Sequence, residues 1–147
     1  MSQLSYCPPG EPTIVAVGVV GHQGRYLIGQ RPDDAALAGY WEVPGGKCRP
    51  GEPPEACVVR ECREETGLEV RVMCLRQELT HVYSQDAVRL FFFDCALAAS
   101  SAPGLEPPAP RPPFRWVRSA ELNQYRFPEA NARVLRELTE ASRPNAL

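Results

Sequence analysis

The sequence is poor in lysine and histidine and carries little net charge. Lys47 is the single lysine among its 16 Lys and Arg residues, two residues are histidines, and 18 acidic residues leave a net charge of −2. Nucleic acids and anionic membranes bind proteins largely through an excess of positive charge. The composition therefore argues against both classes of partner.

Long apolar runs and paired cysteines are also missing. The run Ile14 to Val20 has the length of a strand and falls well short of the roughly 18 residues of a membrane span. No basic segment followed by an apolar core opens the chain, so we expect no secretory signal. Six cysteines are scattered without a C-x-x-C pair, which gives no pattern typical of zinc sites or disulfides. We expect a cytoplasmic protein whose reduced thiols fill its core.

The length of 147 residues predicts one domain, residues 1–147, with a flexible N-terminus at about 1–11 and a proline-rich loop at about 101–113. Apolar and turn patterns predict a hairpin at 13–31, strands near 41–43, 68–83, 87–99 and 114–122, and helices at 51–67 and 127–141. This order predicts an α/β layered domain with a mixed sheet. The stretch PPAPRPP fits either a stiff surface loop or a polyproline ligand for a partner.

Three glutamates crowd one edge of the first predicted helix. At about 100° per residue, Glu61, Glu64 and Glu65 lie side by side next to the stripe expected to face the core. That stripe consists of Val58, Val59, Cys62 and Thr66. Like charges at this spacing repel one another.

The arginines of the same helix, Arg60 and Arg63, project away from the glutamates, and only Arg60 with Glu64 has the spacing of a helical ion pair. We therefore expect the repulsion to be offset by an external cation. Oxygen ligands at this density suit Mg²⁺ or Mn²⁺, with substrate phosphates and water completing the shell. A solvated acidic surface is the alternative.

The spacing upstream of the helix adds a motif. Gly46 is followed after five residues by Glu52, and after seven more by the segment RECREETGL at 60–68. This pattern resembles the Nudix box, the 23-residue signature of enzymes that hydrolyse nucleoside diphosphates linked to another group. At ordinary residue usage its seven fixed residue types would match a given start by chance about once in 10⁸. Cys62 departs slightly, since the pattern favours a larger aliphatic residue, but a thiol is also a small hydrophobe.

The resemblance implies a Nudix-type α/β/α sandwich, with a mixed sheet between helices, and a metal-dependent hydrolase. Glu61, Glu64 and Glu65 would bind Mg²⁺, or alternatively Mn²⁺, together with a backbone carbonyl near Gly45. Bound metal would offset phosphate charge and activate or orient the attacking water.

Other positions take supporting roles by the same resemblance. Glu52 and Arg60 would brace the loop and the metal carboxylates, and Gly46 would let the backbone approach metal or phosphate closely. Lys47 either touches a phosphate or is an ordinary surface residue. Glu106 stands roughly where MutT-type relatives carry a loop glutamate that assists catalysis; a solvent-facing charge is the alternative.

Three further stretches resemble the MutT branch of the family, which hydrolyses oxidised guanine nucleotides such as 8-oxo-dGTP to the monophosphate and pyrophosphate. They are QRP at 30–32, AGYWEVPGGK at 38–47 and FPEAN at 127–131. The resemblance implies a nucleoside triphosphate substrate and a role in cleaning the nucleotide pool. The sequence leaves open whether the enzyme is a monomer or a homodimer.

Three residues are candidates for substrate binding. Asn131 would read the base edge, because an amide offers both a donor and an acceptor; it could instead satisfy backbone groups at a helix start. Arg31 would contact base or phosphate, or be a surface arginine, and Tyr83 would line the base pocket or belong to the core.

Two other functions compete with this interpretation. Some MutT-like enzymes prefer CTP, dCTP or modified pyrimidine nucleotides, although they tend to lack the FPxAN ending. A non-catalytic Nudix domain that senses a nucleotide is the second alternative, but such domains usually lose box glutamates that are present here.

Overall fold

The computed structural model describes residues 12–33, 37–83, 86–99 and 106–141. Its elements are the strands β1 (Thr13–His22), β2 (Arg25–Gln30), β3 (Trp41–Glu42) and β4 (Gly45–Lys47), the helix α1 (Pro54–Thr66), the strands β5 (Val70–Tyr83), β6 (Asp86–Leu97) and β7 (Phe114–Arg118), a 3₁₀ helix (Ser119–Gln124) and the helix α2 (Glu129–Ala141). The N-terminal residues 1–11 and residues 101–105 of the proline-rich loop lie outside the described part. No helix in the described residues is long and apolar enough to cross a membrane.

Within the described residues, seven strands form one sheet of mixed direction, as predicted. The strand order is β3-β2-β1-β6-β5, and β4 pairs with β1 while β7 pairs with β2. The long central strands β1 and β6 run parallel to each other, whereas the remaining pairs are antiparallel. The strand β1 therefore supports both the upstream loop of the box, through β4, and the centre of the sheet, through β6.

Alternate residues of β1 point to opposite faces of the sheet, as the pleat requires. Ala16 and Val20 belong to one buried cluster, and Val17 and Val19 belong to another. Helix α1 covers the first cluster with Cys57, Val58 and Cys62, and α2 covers the second with Val134, Leu135 and Leu138. The helices thus lie on opposite faces and form the predicted α/β/α sandwich.

Helix α1 begins and ends close to the predicted residues. Pro54 is its first residue, where a missing N–H costs nothing, and Glu55 lies in the first turn near the positive end of the helix dipole. Gly67 ends the helix in the left-handed conformation, with φ of 79°, and donates its N–H to the carbonyl of Arg63. Cys57 is fully buried, although the helical projection left it off the core-facing stripe.

Three details differ from the prediction. Residues 45–47 form a strand instead of a loop, because their backbone pairs with residues 15–17 of β1. The last strand ends at Arg118, and residues 119–124 continue as a 3₁₀ helix. The five described cysteines are free, as expected, but Cys74 is exposed, because β-bulges interrupt β5 beside it.

Candidate active site

The loop upstream of α1 folds back onto the helix and touches its carboxylates. Pairing between β4 and β1 places Gly46 opposite Ala16, in the strand on which α1 packs. A Cβ atom at Gly46 would lie 2.6 Å from the carboxyl group of Glu61, far inside van der Waals contact. A side chain at this position would therefore force the Glu61 carboxylate to move.

Glu65 is a partly buried carboxylate at the centre of this contact. The backbone N–H of Gly45 donates a hydrogen bond to its Oε1 at 3.1 Å. The pKa of Glu65 is raised to about 7, chiefly by burial. The hydrogen bond from Gly45 lowers it, and the negative charges of Glu61, Glu42 and Glu64 contribute to the rise. Such a carboxylate lacks compensating charge and is the kind that a bound cation stabilises most.

Arg60 lies inside the carboxylate cluster, so the prediction that it points away was wrong. Its guanidinium donates hydrogen bonds to Glu52 at 2.8 and 2.9 Å, and to Glu61 and Glu64 at 3.1 Å each. The helical projection gives the direction of the Cα–Cβ bond, but an arginine stem is long enough to carry the head group around the helix. Without metal, the repulsion among the glutamates is therefore offset by this arginine.

Glu52 ties the loop before α1 to the helix. Besides Arg60, it accepts a hydrogen bond from the backbone N–H of Arg49 at 2.9 Å. The hydrogen bond from Arg60 and then that from Arg49 lower the pKa of Glu52 to about 2. Arg60 also donates to the carbonyl of Lys47 at 3.3 Å, so loop and helix are joined at several points. Arg63, by contrast, turns away as predicted and pairs with a glutamate beyond the helix.

The glutamates are not preformed as a metal cage. No three Asp, Glu, His or Cys side chains of the described residues converge as ligands of one ion, because Arg60 holds Glu61 and Glu64 while Glu65 faces Gly45. The donor set nevertheless fits Mg²⁺ or Mn²⁺, since carboxylate and carbonyl oxygens are hard ligands. Glu61 and Glu64 each give one carboxylate oxygen to Arg60, and the other oxygen of each is available to a ligand by its chemistry.

Glu42 is a residue of the site that sequence reasoning missed. It lies on β3 beside Gly29 of β2 and accepts a hydrogen bond from Arg31 at 2.7 Å. The Glu42 and Arg31 side chains are 31% and 28% exposed, so Arg31 is held in place and is not a free surface arginine. Because the charge of Glu42 also acts on Glu65, the pair connects Arg31 to the carboxylate cluster. An isolated acidic residue in the short apolar strand WEV was the available signal.

The stretches AGYWEVPGGK and FPEAN meet in space. The backbone N–H of Trp41 donates to the carbonyl of Arg126 at 2.7 Å, and the ring of Trp41 meets that of Tyr125 edge-on with centroids 4.9 Å apart. This contact fixes β3 against the segment that enters α2. Lys47, at the end of β4, is exposed opposite Val15.

Asn131 lies in the first turn of α2 and is partly buried. Its side chain makes no hydrogen bond with any residue that the structure describes, and its role, in base recognition or in capping, stays a prediction. Tyr83 ends β5 with its backbone opposite Asp86. The side chain of Tyr83 lies outside the described part, and its place in a base pocket stays a prediction.

The structure does not bring Glu106 to the carboxylate cluster. Its side chain is 87% exposed and lies 3.6 Å from Arg25, at the hairpin end of β2. Another residue of the same loop, Arg111, contacts the end of α1 instead. Glu106 therefore matches the alternative of a solvent-facing charge.

Comparison with known proteins identifies the family. The profile of the NUDIX domain matches residues 15–137. The chain is 32% identical over 125 residues to the 8-oxo-dGTP diphosphatase of Escherichia coli strain K12, covering 84% of this chain and 94% of that protein. It is also 41% identical over 58 residues to the CTP pyrophosphohydrolase of the same strain, covering 40% of this chain and 43% of that protein.

Solved structures agree with the fold. The MutT NUDIX hydrolase from Burkholderia pseudomallei superposes with a TM-score of 0.64 at 26% identity, covering 86% of this chain and 97% of that one. The mixed sheet between α1 and α2 is thus a Nudix fold. The chain therefore belongs to the Nudix family, in its MutT-like branch, and is a hydrolase of nucleotide diphosphate linkages.

Proposed function

We propose that this enzyme hydrolyses oxidised purine nucleoside triphosphates such as 8-oxo-dGTP to the monophosphate and pyrophosphate, with Mg²⁺, and so cleans the nucleotide pool. The similarity to an 8-oxo-dGTP diphosphatase over most of both chains supports this substrate class. The observation that carries the proposal is the partly buried amide of Asn131, which has no partner among the described residues and stands in the stretch FPEAN.

Asn131 discriminates among bases by hydrogen bonding in this proposal. Its amide supplies one donor and one acceptor edge, which matches the O6 and adjacent N–H groups of a purine. A base whose edge has a different arrangement of hydrogen-bond donors and acceptors would leave a partly buried polar group without a partner, which costs about 1–3 kcal/mol. Tyr83 is proposed to line the same pocket, and Arg31, oriented by Glu42, contacts the base or a phosphate.

Glu61, Glu64 and Glu65, with the carbonyl of Gly45, would hold the metal. Bound Mg²⁺ supplies positive charge to the phosphate oxygens and lowers the pKa of a coordinated water. Gly46 passes close to the Glu61 carboxylate, and the exposed Lys47 beside it would supply a positive charge to a phosphate in addition to that of the metal.

In this proposal, Arg60 and Glu52 hold the loop before α1 against the helix while Glu61 and Glu64 bind the cation. Because Arg60 binds Glu52 at two atoms, it stays anchored when Glu61 and Glu64 turn to the cation. The attacking water loses its proton to a carboxylate of the box in this proposal, since Glu106 lies on the surface beside Arg25.

A pyrimidine nucleotide such as CTP or dCTP is the second candidate substrate. The observation in its favour is the higher identity, 41%, to a CTP pyrophosphohydrolase, although over only 58 residues. The presence of the FPEAN stretch favours the purine.

A substrate panel with purified protein and Mg²⁺ tests the proposal. We expect kcat/KM for 8-oxo-dGTP to exceed the values for dGTP, CTP and dCTP by at least about tenfold, because each matched polar group in a partly buried pocket is worth about that factor. Equal values for 8-oxo-dGTP and dGTP would remove the sanitation role, and a preference for CTP or dCTP would select the second candidate.

A further inference from the structure

Arg111, a residue of the proline-rich loop, donates hydrogen bonds to the last turn of α1. Arg111 Nη1 donates a hydrogen bond to the carbonyl of Glu64 at 2.6 Å, 47 residues away in sequence. The backbone N–H of Arg111 donates to the carbonyl of Thr66 at 2.8 Å. The last four carbonyls of a helix have no partner within it, so Arg111 satisfies two groups that the helix leaves open.

This turn carries two of the carboxylates proposed to bind metal. Glu64 and Glu65 lie at the C-terminal end of α1, where the helix dipole is negative and disfavours further negative charge. A guanidinium at that end opposes the effect. Its hydrogen bond to the carbonyl of Glu64, and that of the Arg111 backbone to the carbonyl of Thr66, resist fraying of the turn. The contact is close, because a Cβ atom at Gly67 would lie 3.5 Å from Arg111 Nη2.

The prolines around Arg111 restrict the backbone of the loop that carries it. Pro110, Pro112 and Pro113 flank it, and each proline fixes one backbone torsion and lowers the entropy lost on ordering the loop. Trp116 adds a hydrogen bond from its indole N–H to the carbonyl of Pro108 at 2.9 Å. The stretch PPAPRPP is therefore engaged within the domain, through its arginine.

We propose that Arg111 is a positioning residue of the active site, which holds the last turn of α1 so that Glu64 and Glu65 present their carboxylates to the cation. This inference rests on the metal-dependent step of the proposed function. It assigns a role to the proline-rich loop that does not involve Glu106.

The test compares Arg111→Ala and Arg111→Lys with wild type, and uses Arg118→Ala as a control that removes an exposed arginine from the neighbouring strand. Mn²⁺ binding without nucleotide, the melting temperature, kcat and KM are measured for each variant. We expect Arg111→Ala to weaken Mn²⁺ binding and lower kcat by about 10- to 100-fold, as the loss of a residue that orients metal ligands typically does, with KM nearly unchanged. Arg111→Lys should restore part of both, because its ammonium keeps the positive charge at the end of α1 and can donate to the carbonyl of Glu64, and Arg118→Ala should behave as wild type.

A melting temperature lowered by Arg111→Ala, with Mn²⁺ affinity and kcat at wild-type values, would overturn the proposal and leave Arg111 a structural residue. If the alanine variant does not fold, the lysine variant decides: reduced Mn²⁺ affinity supports the proposal, and wild-type affinity overturns it. Because Mn²⁺ binding is measured without nucleotide, a wrong substrate class would appear only in the substrate panel and would leave this test intact.

Discussion

The backbone N–H of Gly45 donates a hydrogen bond to the carboxylate of Glu65 at 3.1 Å and joins strand β4 to the last turn of α1. Two effects oppose each other at this contact. The hydrogen bond favours the charged carboxylate, whereas burial disfavours it, and burial prevails because the pKa of Glu65 is about 7. In the absence of metal, Glu65 is therefore partly protonated near neutral pH.

Mn²⁺ affinity should rise as the pH increases through about 7, because Glu65 must lose its proton before it can bind a cation. The folded-state pKa exceeds the ordinary value of 4.5, so in metal-free protein Glu65 also lowers stability as the pH rises from 4.5 to about 7. Titrations of Mn²⁺ binding at several pH values check the first statement, and melting temperatures in EDTA check the second. Glu65→Gln should abolish both trends; equal trends in wild type and this variant would contradict the assignment.

Removing either helix carboxylate should abolish most activity. Glu64→Gln and Glu65→Gln each keep the shape of the side chain but remove the charge of a proposed metal ligand. Such a ligand would contribute several kcal/mol to the transition state, so kcat should fall by about 100-fold or more. Circular dichroism should show an intact fold, since glutamine can still accept the hydrogen bond from Gly45. Glu55→Gln, an exposed change in the first turn of the same helix, is the matched control. Near-normal rates in either variant would exclude the role given to that residue.

Low pH should destabilise the protein through protonation of Glu52. Its pKa is lowered from 4.5 to about 2 by Arg60 and the N–H of Arg49, so its stabilising contribution is complete above pH 4.5 and is lost as the pH falls through about 2. In EDTA, the melting temperature of wild type should therefore fall more steeply than that of Glu52→Gln as the pH decreases from 4.5 to about 2. Parallel curves for the two proteins would show that the pair contributes nothing to the pH dependence.

Asn131→Ala should reduce the preference for 8-oxo-dGTP while hydrolysis of other nucleotides persists. The amide is proposed to pair with the base, whereas the carboxylates of the box are proposed to act on the phosphates whatever the base is. Comparing kcat/KM for 8-oxo-dGTP and dGTP in the variant with the same ratio in wild type measures the effect, which we expect to be about tenfold. Asn123→Ala, which removes an exposed amide of the 3₁₀ helix, is the control. A uniform loss on all nucleotides would point instead to a structural role for Asn131.

Glu106→Gln should leave kcat within about twofold of wild type, because surface changes away from the reacting groups have small effects. The side chain is 87% exposed and beside Arg25, not beside the glutamates of the box. Steady-state rates across the pH range provide the measurement. A large fall in kcat, together with the loss of one limb of the pH profile, would restore Glu106 as the base.

The sequence by itself determined the elements whose signals are local. The hairpin around Gly24 follows from its turn residues, and α1 follows from Pro54 at its start and Gly67 at its end, since caps act within one helical turn. The fixed spacing from Gly46 to Gly67 identified the loop and helix of a Nudix box. The edge that carries Glu61, Glu64 and Glu65 also follows from helical period alone.

Only the tertiary structure decided where the charged head groups lie. Arg60 reaches into the cluster and Arg111 closes α1 from far along the chain, because long flexible side chains take their positions from neighbours and not from their own backbone direction. The short strand β4 forms because it pairs with β1, and Glu42 acts on the site because its charge raises the pKa of Glu65. Arg111 and β4 take their positions from residues distant in sequence, which a local pattern does not contain. Arg60 is fixed partly by Glu64, four residues away, and partly by Glu52 in the preceding loop.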